Sequence, residues 1–295
     1  MNHPHKDKLE AALHNIKATQ DAALLQEALQ TYDQWLRAMN NIQATGNEYL
    51  SEAVRLLNLY KDYLEVDLIA ARGSDFIKRQ KGQMKLDNSV IEEFLPYLIT
   101  PKLLYGLPED FQLETGSKTS FMSLCFRPSR IHSLKKPEIV IKEKDQDFTI
   151  GKSYYYKFSS DENFNNDCTT FGKLYLSVLA AECKVNYDKT MFQECAGTAA
   201  RLKQGCPIAK YFVLVEYLDM QPEDTRLTNI DNVFLLRKAK RLPYDKRNNL
   251  DAIRTQHRDY PISFEVMRKF VDEIQNFVNS TWYDPNSALQ RGSFV

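Results

Sequence analysis

The hexapeptide Leu179-Ala180-Ala181-Glu182-Cys183-Lys184 is an apolar run of good strand propensity that ends in a carboxylate and an amine two positions apart. Along a strand, residues i and i+2 point to the same face. Glu182 and Lys184 therefore share one side, and Cys183 points back toward the core. An acid and an amine at one strand end suit metal-assisted hydrolysis of a phosphodiester. Magnesium takes hard oxygen ligands, often one or two carboxylates, with water and phosphate completing its shell. The ion offsets charge that builds in the transition state and acidifies a bound water. A neighbouring ammonium orients that water or steadies the phosphate.

A second carboxylate must come from an adjacent strand. The segment Lys144-Asp145-Gln146-Asp147-Phe148-Thr149-Ile150-Gly151 offers one. Asp147 opens an alternating run, Asp145 has the same parity, and Glu138, after Pro137, opens a strand of its own. Taken alone, Glu182 and Lys184 also fit an exposed strand-edge ion pair contributing under about 1 kcal/mol. Two basic groups suit phosphate contacts and, through arginine, guanine edges. One is Lys238, Lys240, Arg241, Lys246 and Arg247, with Tyr244 among them; the other is Arg127, Arg130, Lys135 and Lys136. Each also fits a solvated loop. His132 and His257 have no partner at metal-ligand spacing and are expected at the surface. Cys183 and Cys195 are expected to be core thiols.

The elements that must hold these groups are legible from periodicity. From Lys6 to Arg72, Leu9, Leu13, Ile16, Leu24, Leu25, Ala28, Leu29, Tyr32, Leu36 and Met39 recur at three- and four-residue steps, then Tyr49, Leu50, Val54, Leu57, Tyr60 and Leu64. The spacing predicts two helices with a break at Gly46. Gly73 to Lys85 is polar and basic and reads as a connector. A third helix is expected over Val90–Ile99, with Glu92 and Glu93 in its first turn, where the helix dipole favours acids, and Pro101 closing it. Short β-rich patterns follow at Phe121–Phe126, Glu138–Lys142, Phe148–Phe158 and Leu174–Lys184. Thr190–Lys203 returns to helix, Tyr211–Leu218 and Val233–Arg237 to strand, and Ser263–Val278 to an amphipathic helix. The order predicts an α/β (mixed α+β) fold: a central mixed sheet with flanking helices, after an N-terminal helical region. Residues 1–85 are expected to be that region, a DNA clamp or a subunit interface, and 86–295 the catalytic domain.

Composition narrows the classes. The 295 residues balance 39 Lys and Arg against 39 Asp and Glu. That neutrality argues against a non-specific nucleic-acid coat and allows a local basic cleft. No segment approaches the roughly 20 apolar residues of a membrane span. The start of the chain lacks the apolar stretch of a signal peptide. Five cysteines without a Cys-x-x-Cys pair predict reduced thiols in a cytosol.

Beyond single residues, Asp147-Phe148-Thr149-Ile150-Gly151, Glu182-Cys183-Lys184 and Asn186-Tyr187-Asp188-Lys189-Thr190-Met191 resemble the PD-(D/E)XK nucleases. Glu194-Cys195-Ala196-Gly197-Thr198-Ala199, Arg201-Leu202-Lys203 and the stretch Trp282 to Gly292 extend the resemblance to heterodimeric type II restriction endonucleases of the BbvCI and Bpu-ten-I kind. It covers roughly residues 86 to 295. It implies a bacterial, cytoplasmic enzyme that cuts one strand of duplex DNA with Mg2+ at a short asymmetric CCTNAGC-like site. The expected ends are a 5′-phosphate and a 3′-hydroxyl, and the expected partner is a related second subunit. Carried over, Asp147 and Glu182 would hold the metal with the Cys183 backbone carbonyl, Lys184 would sit by the attacking water, and Glu93 would be an auxiliary acid. The sequence departs from the family pattern at Gln146, where a proline would precede the acid. Pro137-Glu138 keeps that pattern, so the first carboxylate stays open, with Asp147 favoured. A second reading is a DNA-binding assembly protein that keeps the fold without cutting. A third is a repair nuclease of the same superfamily.

Overall fold

A computed structural model describes residues 3–78, 86–107, 113–126, 136, 138–279 and 285–293. The chain opens with α1 (Pro4–Leu13), α2 (Ala22–Asn40) and α3 (Gly46–Lys61). On α2, Leu25, Ala28, Tyr32, Trp35 and Met39 are buried at three- and four-residue steps, the stripe that makes a helix pack. The first predicted helix is in fact two. A 3-10 turn, Ile16–Asp21, separates α1 from α2, and the Asn15 side chain accepts from the Lys17 N–H at its start. The second helix continues past α3 as π-helix over Asp62–Arg72 and is followed by the one-turn α4 (Asp75–Lys78).

The third helix is shorter than its periodicity suggests. Helix α5 spans only Ser89–Phe94 and gives way to a 3-10 turn, Leu95–Leu98. Pro96 lacks an N–H and its ring crowds the carbonyl four residues back, so the α-helix stops before it. All six residues of α5 are buried.

The sheet has five strands in sequential order: β1 (Glu114–Phe126), β2 (Ile139–Ser159), β3 (Thr169–Tyr187), β4 (Lys210–Leu218) and β5 (Asn232–Lys240). β1, β2 and β3 form antiparallel pairs, and β3–β4 and β4–β5 run parallel. The two strands predicted at Glu138–Lys142 and Phe148–Phe158 are one 21-residue strand. Helix α6 (Lys189–Gly205) makes the crossover between β3 and β4, its first turn capped by Asp188, which accepts from the Met191 N–H at 2.9 Å. Among the described residues the sheet is followed by α7 (Leu250–Asp259), α8 (Phe264–Asn279) and α9 (Pro285–Arg291). Only His257 of α7 is buried, which is why hydrophobic periodicity did not reveal that helix.

One cluster of buried apolar side chains runs from Leu9 to Phe277 and joins the helical region to the sheet. Phe270 of α8 meets Phe212 and Phe234 edge-on at 5.8 and 5.4 Å. On the same face of β4, Glu216 pairs with fully buried Lys61 of α3, and accepts from Arg237 Nε of β5 at 2.9 Å. Lys61 also reaches Glu65 Oε1 at 2.5 Å. His257, expected at the surface, is 6% exposed, held by Asp62 at 2.8 Å and Glu65 at 3.1 Å. Two acids from the π-helix explain its burial, and neither is near it in sequence. Among the described residues, no helix is long and apolar enough to cross a membrane.

Candidate active site

The centre forms where β2 and β3 part. Their Cα pairing ends at Phe148↔Ala181, so Asp147 and Glu182 face each other one residue beyond the last pair. Instead of a ladder bond, the Cys183 N–H donates to Asp147 Oδ2 at 2.7 Å. In an antiparallel ladder the N–H and C=O of one residue leave the same edge of the strand. The Cys183 carbonyl therefore also faces the gap that β2 has left. On the other edge, β4 holds β3 straight, with Glu182↔Val213 and Lys184↔Val215 in register. Glu182 and Lys184 emerge on one face, and Lys184 Nζ donates to Glu182 Oε1 at 2.6 Å. Cys183 and Cys195 are buried free thiols.

The electrostatics show excess negative charge in a dry place. Burial, then Glu182, raise the Asp147 carboxyl to about 6, against the pull of Lys184 and the Cys183 N–H. Burial would lower the Lys184 ammonium, but Glu182 and Asp147 outweigh it and push it up. A third acid belongs to the same field. Burial, then Asp147, raise Glu92 of α5 to about 7, with Lys8 and Lys184 acting the other way.

Glu93, the auxiliary acid expected from the sequence, is turned away from this centre. It is buried in the helical region, accepting from Tyr32 Oη at 2.6 Å and the His5 N–H at 3.0 Å, and it lies 2.5 Å from His3 Nδ1. Successive helical positions point about 100° apart, so its neighbour Glu92 takes the place facing Asp147. Lys8 of α1 also went unnoticed in the sequence. Its ammonium lies 3.7 Å from Glu92 Oε1. The other two candidates for the first carboxylate are elsewhere: Asp145 is exposed and accepts from Thr119 Oγ1 at 2.6 Å, and Glu138 is exposed.

The donor set suits a hard divalent cation. Among the described residues no cluster of three His, Cys, Asp or Glu side chains stands at metal-binding spacing. Magnesium needs fewer, since one or two carboxylates suffice when water and phosphate complete the shell. Asp147, Glu182 and the Cys183 carbonyl are three oxygen sources at one gap.

Of the basic groups, Arg127, Arg130 and Lys135 lie outside the described residues. Lys238 and Lys240 are exposed at the end of β5, Lys238 paired with Glu265 at 2.6 Å. Arg241 and Arg247 both approach Asp219 Oδ2, at 2.9 and 3.4 Å. They line a cavity of about 680 Å³ together with Asn186, which lies two residues beyond Lys184 on the same strand. Tyr244, beside Arg247, is 86% exposed.

The sequence profile of the family described as Bpu10I restriction endonuclease matches residues 83–294. Among solved structures, one described as the native BbvCI A2B2 tetramer at low resolution has the same fold. The TM-score is 0.65 at 17% identity, covering 96% of this chain and 100% of that one. No curated protein sequence matches.

Proposed function

The chain belongs to the Bpu10I restriction endonuclease family, and from that premise we propose that it cuts one strand of a short asymmetric DNA site with Mg2+, beside a related second subunit. It is a restriction endonuclease subunit with the PD-(D/E)XK core. The observation that carries the finer reading is the meeting of Asp147, Glu182 and Lys184 at the split between β2 and β3.

Asp147 and Glu182 would hold the cation with the Cys183 carbonyl. A bound divalent ion would polarise the scissile phosphate and lower the pKa of a coordinated water. In the metal-free site Lys184 holds its proton, because Glu182 and Asp147 beside it favour the charged form. It would serve as a donor that orients the attacking water or the phosphate oxygen, with the water's proton passing to solvent and the leaving 3′-oxygen taking one from it. The Cys183 N–H fixes the Asp147 carboxylate, so the ligand needs little reorganisation when metal arrives. Arg241 and Arg247 would track the phosphate backbone along the cavity edge. The hydrolysis would leave a 5′-phosphate and a 3′-hydroxyl, and the companion subunit would cut the opposite strand. Residues 1–85 would brace the centre through α1 as well as offer surface to DNA or that subunit.

Supercoiled plasmid carrying the site tests the assignment. With both subunits and Mg2+, the native pair is expected to give linear DNA. The pair with Lys184→Ala in this chain is expected to stop at the nicked circle, cut only by its companion. Linear product from Lys184→Ala at the native rate would reject the assignment.

A further inference from the structure

We propose that Lys8, carried on the N-terminal helix α1, is a second cation of the cleavage centre, placed to meet the scissile phosphate once a divalent ion sits among the carboxylates. The proposal rests on the nuclease reading above. Its first support is position. The Lys8 ammonium lies 3.7 Å from Glu92 Oε1, with Lys8 24% exposed over an acid that is only 8% exposed. That separation exceeds a hydrogen bond, so the ammonium is near the acids without being locked to one. Lys184, by contrast, is bonded to Glu182 at 2.6 Å.

The second support is that α1 is fixed. His5 is fully buried, with Nε2 at 2.7 Å from Tyr60 Oη and Nδ1 at 3.0 Å from Ser89 Oγ. Its backbone N–H donates to Glu93 Oε2 at 3.0 Å. Ser89 and Glu93 belong to α5, the helix that carries Glu92. The lysine side chain and about one helical turn therefore separate a locked anchor from the Lys8 ammonium, which is reach without drift.

The third support is charge balance. Glu92, Asp147 and Glu182 interact with one another and with Lys8 and Lys184 as one field. Counted fully ionised, three carboxylates against two ammonium groups would leave a single negative charge. A divalent ion turns that into a single positive charge, which one phosphodiester cancels. Without Lys8 the loaded centre would be neutral before the substrate arrived and negative afterwards, in surroundings that penalise an unpaired charge. Asn88 Nδ2, donating to Glu92 Oε1 at 3.3 Å, is a further polar contact of that acid, and it carries no charge.

The full-length chain with Lys8→Met and with Lys8→Arg tests this. The readouts are Ca2+ binding by calorimetry on the chain itself, the salt dependence of DNA binding, and single-turnover nicking with the companion subunit and Mg2+. Lys8→Met is expected to bind Ca2+ several-fold more tightly, because a like charge has left, while nicking falls about 10²-fold. The slope of log affinity against log salt should shrink by about 1. Lys8→Arg should restore nicking to within a few-fold. A residue that only packs α1 would instead weaken Ca2+ binding and nicking together and lower the melting temperature, and that result would overturn the proposal. So would unchanged Ca2+ binding and nicking in Lys8→Met while Lys184→Ala in the same assay is inactive. If Lys184→Ala cuts as well, the nuclease assignment itself has failed, independently of Lys8.

Discussion

Asp147, the proposed metal ligand, illustrates how a buried acid burdens the protein that holds it. An unperturbed aspartate titrates near about 4, and in the folded chain burial and Glu182 raise this one to about 6. Between those values the native state retains a proton that the unfolded chain has released, so the protonated form's stability is lost as pH rises through the window. Asp147→Asn should therefore stabilise the metal-free protein by about 1–3 kcal/mol at pH 8 and by nothing at pH 4. Urea unfolding at the two pH values measures the difference, and equal midpoints for both proteins at pH 8 would contradict it. Saturating Mg2+ should reverse the order at pH 8, because only the native aspartate gains the ion's binding energy. Two adjacent acids separate the roles further. Glu92→Gln should slow nicking at least about 10-fold and, by the same argument, raise the melting temperature of the metal-free protein at pH 8. Glu93→Gln weakens a buried set of hydrogen bonds to His3, His5 and Tyr32 and should cost about 1–3 kcal/mol of stability. A thermal melt paired with a nicking assay reads both, and the reverse pattern would return Glu93 to the site.

The same pair shows where sequence reading of the elements ran out. Strand β3 was legible because its apolar run is buried on both faces and period two put Glu182 and Lys184 on one side. The order of strands and the crossover helix were legible for the same reason. Which of Glu92 and Glu93 faces Asp147 was not, because α5 is six residues long and buried all round, so amphipathic periodicity has no stripe to read. Strand β2 was cut in two because Lys142 to Asp145 are exposed. Those residues stay in the strand through pairs such as Ser120↔Lys144 and Thr119↔Asp145, which only the fold supplies. Lys8 and Glu92 lie far apart along the chain, and no local pattern links them. The α3–β4 contact is of this hidden kind. Lys61, fully buried, is shared by Glu65 and Glu216, with Arg237 beyond. Removing one partner of such a pair strands the others, so Lys61→Met should cost about 3–5 kcal/mol. Denaturant unfolding measures this, and a loss under 1 kcal/mol would mean that water or Arg237 compensates.

At the scale of the whole molecule, the helical region and the sheet close around one core, with bonds tying distant ends of the chain together. Asn58 exchanges hydrogen bonds with the Ile262 backbone at 3.0 and 2.8 Å, and Arg268 of α8 donates to Asn47 at 2.8 Å. Contacts of such long range slow folding, because the loop must close before the contact rewards it. The Lys61 ammonium waits 155 residues for Glu216, roughly 8–30 s of synthesis at the usual ribosomal pace. Until β4 is made, the fully buried Lys61 lacks its acid on the sheet, so the contact between α3 and β4 closes late in synthesis.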